Sequence, residues 1–225
     1  MLKTMTMSFL EPSSPEKTLA WALDEFGAEV ALATGFGPEG CVLIDMLAKL
    51  DRRARIFYLD TDLHFAETYA LIKRLEIHYG LSFERRATPL SLHEQEKTYG
   101  PKLWESEPDR CCQLRKVEPL ADTLSDLRAW ITAIRRDQSA ARSSAQVIER
   151  DRKFGLIKIN PLVRWSSKDV WKYIFNHDVP YNPLHDRGYP SIGCAPCTTP
   201  QLSPDEDLRA GRWRGTAKKE CGLHQ

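Results

Sequence analysis

Six cysteines provide the candidate chemistry of this 225-residue sequence. Cysteines of an intracellular enzyme more often bind a metal or act in catalysis than form a disulfide framework. Two are adjacent, two form a Cys-x-x-Cys pair farther along, and two stand alone: Cys111 and Cys112, Cys194 and Cys197, and Cys41 and Cys221. The two pairs supply four thiolates, whereas Cys41 lies among apolar helical residues and is predicted to pack in the core.

The segment around Cys221 has the composition of a tail that carries a nucleophile. The thiolate is the reactive form of cysteine, and nearby cations favour it. Between Arg209 and Lys219 the chain has five basic residues and no acidic one. We therefore expect a mobile catalytic tail, about residues 201–225, that favours the Cys221 thiolate and attracts an anionic substrate. The alternative is a frayed terminus with an unreactive thiol.

Composition and charge limit the class of protein. Hydrophobic residues make up 42% and charged residues 28% of the chain, and the length suits one α/β domain over 1–225 with a flexible stretch at about 1–12. The formal net charge of +1 provides no general attraction to nucleic acid. No apolar run approaches the roughly 18 residues that span a bilayer, and the N-terminus lacks the apolar core of a secretory signal. We therefore expect a cytoplasmic protein that binds neither nucleic acid nor membrane.

Strand and helix patterns alternate along the chain. Short apolar runs predict strands, and amphipathic stretches predict helices between them. Strands are expected at 29–34, 54–60, 82–86, 129–134 and 156–159, and helices at about 13–27, 41–50, 65–79 and 166–176, with a short helix from 110. This order predicts an α/β fold with a doubly wound, mainly parallel sheet, which binds ligands at the carboxyl ends of its strands.

A glycine-rich loop follows the first predicted strand. It reads Thr34-Gly35-Phe36-Gly37, and its backbone N–H groups, with the N-terminus of the next helix, could bind a phosphate. Because it lacks the lysine of a Walker motif and does not match Gly-x-Gly-x-x-Gly, a tight turn without ligand is the alternative. After the second strand, Asp60 and Asp62 either bind a ligand or cap a helix.

Basic residues lie near two of these candidate sites. After the strand at 129–134, Arg135, Arg136 and Arg142 could hold sulfate or phosphate oxygens through paired N–H bonds, or form a charged surface loop. Lys116 follows Cys112 by one helical turn and shares its face. It is therefore predicted to interact with the thiolates, and a solvated lysine is the alternative.

Together these residues resemble the assimilatory adenylyl-sulfate reductase family. The resemblance runs from about Ala31 to the C-terminus, and its segments occur in the family's order. They are Cys111-Cys112, Lys116, the run from Arg135 to Ser139, Cys194-x-x-Cys197, Arg209-Ala-Gly-Arg212 and Glu220-Cys-Gly-Leu-His224. The chain is most similar to the iron–sulfur branch, which reduces adenosine 5′-phosphosulfate (APS). Relatives that act on the 3′-phosphorylated nucleotide (PAPS) usually keep the tail motif but lack both cysteine pairs.

The resemblance implies a fold and a cofactor. The fold would be adenine-nucleotide α-hydrolase-like, with a C-terminal tail that carries the nucleophile. The cofactor would be a [4Fe-4S] cluster on Cys111, Cys112, Cys194 and Cys197. Ligand chemistry agrees, because each iron of a cubane takes one protein thiolate and adjacent cysteines can reach different irons. Zinc is the alternative, although ligands of a small tetrahedral site usually come from separate loops.

The resemblance also implies roles for single residues. Cys221 would attack the sulfur of APS, expel AMP and form a thiosulfonate, and a thioredoxin or glutaredoxin-like thiolate would then release sulfite for cysteine biosynthesis. Lys116 would link the cluster with the substrate sulfate. The other implied substrate-binding residues are Thr34, Gly35, Phe36, Gly37, Arg136, Arg142, Arg209, Arg212 and His224.

Other functions stay open at the level of sequence. A PAPS reductase or a dual-specificity enzyme is the nearest alternative, because Arg214 adds a cation that could accommodate a 3′-phosphate. A cluster-containing tRNA thiolase of the ATP-pyrophosphatase type would favour a Ser-Gly-Gly-x-Asp-Ser loop, which the chain lacks. A zinc-binding interaction module agrees poorly with the alternating strands and helices. A homo-oligomer is compatible with the sequence.

Overall fold

The computed structural model describes residues 14–203, 206–218 and 220–223 of the chain. Its strands are β1 (Val30–Thr34), β2 (Arg55–Leu59), β3 (Glu84–Arg86), β4 (Ala129–Ile131), β5 (Ile148–Arg150) and β6 (Ile157–Ile159). Its α-helices are α1 (Pro15–Phe26), α2 (Pro38–Leu50), α3 (Ala66–Tyr79), α4 (Leu92–Tyr99), α5 (Leu103–Ser106), α6 (Pro108–Cys112), α7 (Glu118–Leu124) and α8 (Ser167–Asn176).

The strands form one sheet in the order β3-β2-β1-β4-β6-β5. Neighbouring strands are parallel except for β5 and β6, so the predicted α/β class with a mainly parallel sheet is confirmed. The edge strand β5 was not predicted, because Ile148-Glu149-Arg150 is short and mostly polar. The chain passes from β1 to β2 on one side and to β4 on the other, which opens a crevice between the carboxyl ends of β1 and β4.

The first two helices begin with proline in their first turn. Ser14 caps α1, since its hydroxyl accepts a hydrogen bond from the backbone N–H of Lys17 at 3.4 Å; the predicted helix start at residue 13 lies outside the described residues. Helix α2 begins at Pro38 rather than at Cys41, because the fixed φ of proline suits a first helical turn. Cys41 is fully buried in α2, as predicted, and burial raises the pKa of its thiol to about 12.

A π turn interrupts the helical run that carries the first cysteine pair. Helix α6 ends at Cys112, the π turn spans Gln113–Val117, and α7 follows directly. Such interruptions are frequent at functional sites, and Lys116 lies within this one. In the described part of the chain, no helix combines the length and apolar character needed to cross a bilayer.

Candidate active site

A cavity opens at the crevice between β1 and β4. Its wall is formed by the loop after β1, the segment after β4 and a segment near the C-terminus. It includes Gly35, Gly37, Arg135, Arg142, Arg209 and Arg212. Four guanidinium groups therefore lie around one cavity beside the N-terminus of α2, an arrangement that suits an anionic nucleotide.

Thr34 and Phe36 shape the loop of this cavity from within. The Thr34 hydroxyl accepts a hydrogen bond from the backbone N–H of Phe36 at 3.0 Å. The Phe36 ring is buried against Tyr58 and Phe83, with centroid separations of 5.3 and 5.5 Å. A Cβ at Gly40 would lie 2.5 Å from the Thr34 hydroxyl, so glycine allows α2 to begin close to β1. Gly35 and Gly37 line the cavity, whereas substrate contact by Thr34 and Phe36 stays a prediction.

The segment after β4 turns Arg135 towards the cavity. Its Nε donates to Glu39 Oε1 at 2.8 Å, and its guanidinium also pairs with Asp137. The Nε of Arg136 donates instead to the carbonyl of Ala145 at 2.8 Å. The backbone is extended at Arg135, a 3₁₀ turn begins at Arg136, and the two guanidinium groups contact different partners. Substrate contact by Arg136 therefore stays a prediction, and Arg135 is the member of this pair that lines the cavity.

Arg142 and Arg209 share the carboxylate of Glu220. The Oε2 of Glu220 lies 3.1 Å from Nη2 of Arg142 and 3.0 Å from Nη2 of Arg209. Its Oε1 accepts a hydrogen bond from the Ser139 hydroxyl at 3.2 Å. These arginines, which the sequence suggested for the substrate, therefore contact Glu220, the residue before Cys221. The fourth cavity arginine, Arg212, lines the same wall.

The two cysteine pairs meet at a second, smaller cavity. Its wall includes Thr61, Cys111, Cys112, Lys116, Cys194 and Cys197. The thiols are free. The segment 194–197 is held against the loop after β2, because the backbone N–H of Ala195 donates to the carbonyl of Leu63 at 2.7 Å. The Thr61 hydroxyl lies 3.3 Å from Cys194 Sγ. This placement supports the expectation that the four thiols serve one site.

Lys116 provides a positive charge among these thiols. Burial opposes its charged form, but the thiols of Cys194, Cys221 and Cys112 outweigh this and raise the pKa of Lys116. Burial likewise opposes ionisation of Cys194, yet Lys116 and other donors lower the pKa of that thiol. At Cys111 burial dominates and raises the thiol pKa to about 12. Lys116 therefore interacts with both the paired cysteines and Cys221.

The donor set of this second cavity fits a metal cofactor with thiolate ligands. Four thiols and one buried ammonium surround it, and thiolates are preferred ligands of both iron–sulfur clusters and zinc. Among the residues that the structure describes, no three His, Cys, Asp or Glu side chains are grouped to hold a single metal ion. The residues are therefore suited to a cofactor by chemistry and proximity, without forming a site for one ion.

The tail is docked beside the paired cysteines. Cys221 is partly buried. The Nζ of Lys153 donates to the carbonyl of Gly222 at 2.6 Å, and Leu223 packs against the apolar cluster between α7 and the sheet. The predicted role of His224 lies outside the described residues.

A buried arginine stabilises the loop after β2 through hydrogen bonds. Arg115 donates to the carbonyl of Thr61 at 3.0 Å and to Asp62 at 3.1 Å. Asp60 accepts from Arg85 at 2.7 Å. The aspartates thus anchor the loop that presents Thr61 to Cys194, a third role beside ligand binding and capping. Sequence analysis missed Arg115, because no local pattern distinguishes a buried arginine from a solvated one.

Comparison with known proteins identifies the class of protein that this fold and site define. Residues 29–200 match the phosphoadenosine phosphosulfate reductase domain family, and the chain belongs to that family. The resemblance found in the sequence is therefore confirmed, together with the expected enzyme class, an oxidoreductase that acts on a sulfur group.

Three individual proteins show how similar the chain is to known proteins in sequence and in fold. The adenosine 5′-phosphosulfate reductase of Salinibacter ruber is 50% identical over 214 residues, which cover 95% of this chain and 85% of that protein. The crystal structure of phosphoadenylyl-sulfate (PAPS) reductase from Candida auris, a phosphate complex, is 34% identical with a TM-score of 0.75 and covers 84% of this chain and 91% of that chain. Candida glabrata FMN adenylyltransferase, at 15% identity and a TM-score of 0.60 over 84% of this chain and 62% of that chain, shares the fold alone. These neighbours confirm the adenine-nucleotide α-hydrolase-like fold.

Proposed function

We propose that the protein reduces APS to sulfite and AMP as one reductase domain over 1–225. The main support is the convergence of Cys221, Lys116 and four paired thiols next to a cavity walled by arginines. The Salinibacter ruber relative, named for APS reduction, supports APS rather than PAPS as the substrate. A PAPS or dual-specificity reductase is the second candidate, since the Candida auris structure is named for PAPS.

The first step is attack of the Cys221 thiolate on the sulfur of APS. A bond forms between Cys221 Sγ and that sulfur, the bond from sulfur to the bridging phosphate oxygen breaks, and AMP leaves with the electron pair. The product is a thiosulfonate, Cys221 Sγ–SO₃⁻. Attack on an anionic group requires nearby cations, which Lys116 and the cavity arginines supply. Gly35 and Gly37 line the cavity, and their backbone N–H groups would hold the phosphate side of the nucleotide.

The second step is an exchange with a thioredoxin or glutaredoxin-like dithiol. One thiolate of the reductant attacks Cys221 Sγ, and sulfite leaves with the electron pair of the sulfur–sulfur bond. The second thiol of the reductant then resolves the mixed disulfide and regenerates the Cys221 thiol. Both electrons come from the dithiol, which a cytoplasmic location would keep reduced. The docked tail has to open for this partner to reach Cys221.

The paired cysteines Cys111, Cys112, Cys194 and Cys197 would hold a [4Fe-4S] cluster. When bound, such a cluster would supply fixed charge and a rigid frame, and none of the electrons of the reaction. The protein would then hold the Lys116 ammonium next to the substrate sulfate. Zinc is the second candidate, and assays of iron, sulfide and zinc in anaerobically purified protein distinguish the two.

The test of the proposed function is dithiol-dependent sulfite release by anaerobically purified protein, with APS and PAPS compared side by side. We expect release mainly from APS and none from Cys221→Ser, with unchanged iron and sulfide contents. Cys41→Ala, which removes a buried thiol outside both cavities, is the control that should retain turnover. Comparable release from PAPS would establish dual specificity, whereas release from neither nucleotide would contradict the proposal.

A further inference from the structure

We propose that Glu220 is a positioning residue, which docks the segment 220–223 on Arg142 and Arg209 and thereby holds Cys221 beside Lys116. This inference rests on the proposed function of Cys221 as the nucleophile. It also changes the role of two arginines that the resemblance assigned to the substrate. In the docked state both guanidinium groups would contact Glu220, and Arg212 would face the phosphosulfate.

The Glu220 carboxylate ties together three segments of the chain. Besides its two arginine contacts at 3.1 and 3.0 Å, it accepts a hydrogen bond from Ser139. Side-chain exposure is only 10% for Glu220 and Arg142 and 17% for Arg209. Charge-assisted hydrogen bonds with so little solvent around them stabilise more than surface ion pairs do. Glu220 is therefore a strong attachment point immediately before Cys221.

A second attachment point follows Cys221. The Nζ of Lys153 donates to the carbonyl of Gly222 at 2.6 Å. The side chain of Leu223 then contacts the apolar cluster of Leu120, Leu124 and Trp130. Cys221 is thus fixed from both sides, and the two attachments use different chemistry, a buried ion pair before it and a solvent-exposed hydrogen bond with an apolar contact after it.

The docked position brings the Cys221 thiol into the field of the buried lysine. Lys218 pairs with Asp109, two residues before Cys111 in α6, so the segment that precedes Cys221 lies against the helix of the first cysteine pair. In agreement, Cys221 is among the thiols that raise the pKa of Lys116. Release of Glu220 would move the thiol away from this cation and from the cavity. Because the reductant needs the opposite state, an attachment made through the single side chain of Glu220 is suitable for a tail that must also open.

The first test measures tail docking without any substrate. The rate constant for alkylation of Cys221 by iodoacetamide is followed by mass spectrometry at several pH values, so that the fully ionised thiols are compared. We expect Glu220→Gln, which keeps the shape and removes the charge, to react on the order of tenfold faster than the wild type, and Lys153→Met a few-fold faster. Glu25→Gln and Lys168→Met, both exposed on other helices, are the matched controls. Equal rates in Glu220→Gln and wild type would overturn the inference.

The second test separates positioning from substrate binding. Single-turnover S-sulfonation of Cys221 by saturating APS should be about tenfold slower in Glu220→Gln, with the dissociation constant of APS within about twofold of the wild type. Faster S-sulfonation or tighter APS binding in this variant would overturn the inference, because the carboxylate would then be competing with the substrate.

A double variant assigns the role of Arg142. If Arg142 acts through Glu220, S-sulfonation of Cys221 in the double variant with Arg142→Gln and Glu220→Gln should be no slower than in Glu220→Gln alone. If the two substitutions slow S-sulfonation by factors that multiply, Arg142 binds the substrate directly, and this part of the inference is contradicted. Faster alkylation of Glu220→Gln in a protein that neither APS nor PAPS sulfonates would support docking by Glu220 and contradict the proposed function instead.

Discussion

The backbone N–H of Trp213 donates a hydrogen bond to the carbonyl of Cys197 at 2.9 Å. Nearby, the N–H of Thr199 donates to the carbonyl of Gly211 at 2.9 Å, and a Cβ at Gly211 would lie 2.1 Å from the Thr199 carbonyl oxygen. The second cysteine pair and the arginine segment are therefore packed backbone against backbone. A displacement of either segment is transmitted to the other, which links the geometry of the thiol cavity to that of the nucleotide cavity.

The same packing predicts the effect of Gly193→Ala. A Cβ at this position would lie 2.1 to 2.8 Å from the guanidinium atoms of Arg212. Because the clash is with the end of a flexible side chain, the fold should persist while Arg212 moves. We expect KM for APS to rise about tenfold with a shift of only a few degrees in melting temperature. In an Arg212→Gln background the added alanine should have no further effect, and an additive loss would contradict this explanation.

Lys116→Met should impair chemistry far more than folding. The substitution keeps the apolar stem and removes the ammonium that interacts with the thiols of Cys194 and Cys221. We expect S-sulfonation to slow by about a hundredfold or more, since the variant loses a preorganised cation at the reacting sulfur. Rapid-quench kinetics and thermal unfolding are compared with those of Lys172→Met on α8. Proportionate losses of rate and stability would indicate a structural lysine.

Arg214→Gln should leave the choice between APS and PAPS unchanged. Arg214 forms a two-bond ion pair with Glu206, at 3.0 and 2.9 Å, and its Nε donates to the Thr199 hydroxyl at 3.2 Å. This engagement leaves the suggested role at a 3′-phosphate without geometric support. The ratio of kcat/KM for the two nucleotides should stay within about twofold of the wild-type ratio. A marked loss of PAPS turnover alone would show that Arg214 does contact the 3′-phosphate.

Asp60→Asn should lower stability in a pH-dependent manner. Burial opposes ionisation of Asp60, but hydrogen bonds from Arg85 and Tyr69 outweigh it and lower the pKa of the carboxyl. A carboxyl with a lowered folded-state pKa stabilises the fold above its unfolded pKa, near 3.8, and this contribution is lost as the pH falls through the folded value. We expect a loss of about 1 kcal/mol at pH 7, limited because Arg85 is half exposed.

The check on Asp60 is urea unfolding of both proteins between pH 7 and about pH 3. The two free energies of unfolding should approach each other as the pH falls below the unfolded pKa, near 3.8, because the unfolded wild-type chain then takes up a proton before the folded one does. A difference that stays constant over this range would mean that ionisation of Asp60 does not contribute to stability.

The fold class and the enzyme class could be predicted from the sequence, and both are confirmed. Paired cysteines, a basic tail and alternating strand and helix patterns are local features, so the order of residue types was sufficient to predict them. The predicted ends of helices and strands were less accurate where the sequence has no clear start or stop signal. Helix α2 begins at Pro38 rather than at Cys41, and the polar edge strand Ile148–Arg150 had no apolar alternation to reveal it.

The pairing of charged groups could not be predicted from the sequence and depends on the tertiary structure. After β4 the chain changes from an extended residue, Arg135, to a 3₁₀ turn that begins at Arg136; Arg135 lines the cavity, and Arg136 donates to the carbonyl of Ala145. Glu220 meets Arg142 and Arg209, which lie 78 and 11 residues away along the chain. The sequence shows which basic side chains are present, but not which carboxylates they pair with. Pairing depends on the packing of segments that are distant in the chain and on the exclusion of water from between them. No local pattern in the sequence reports either.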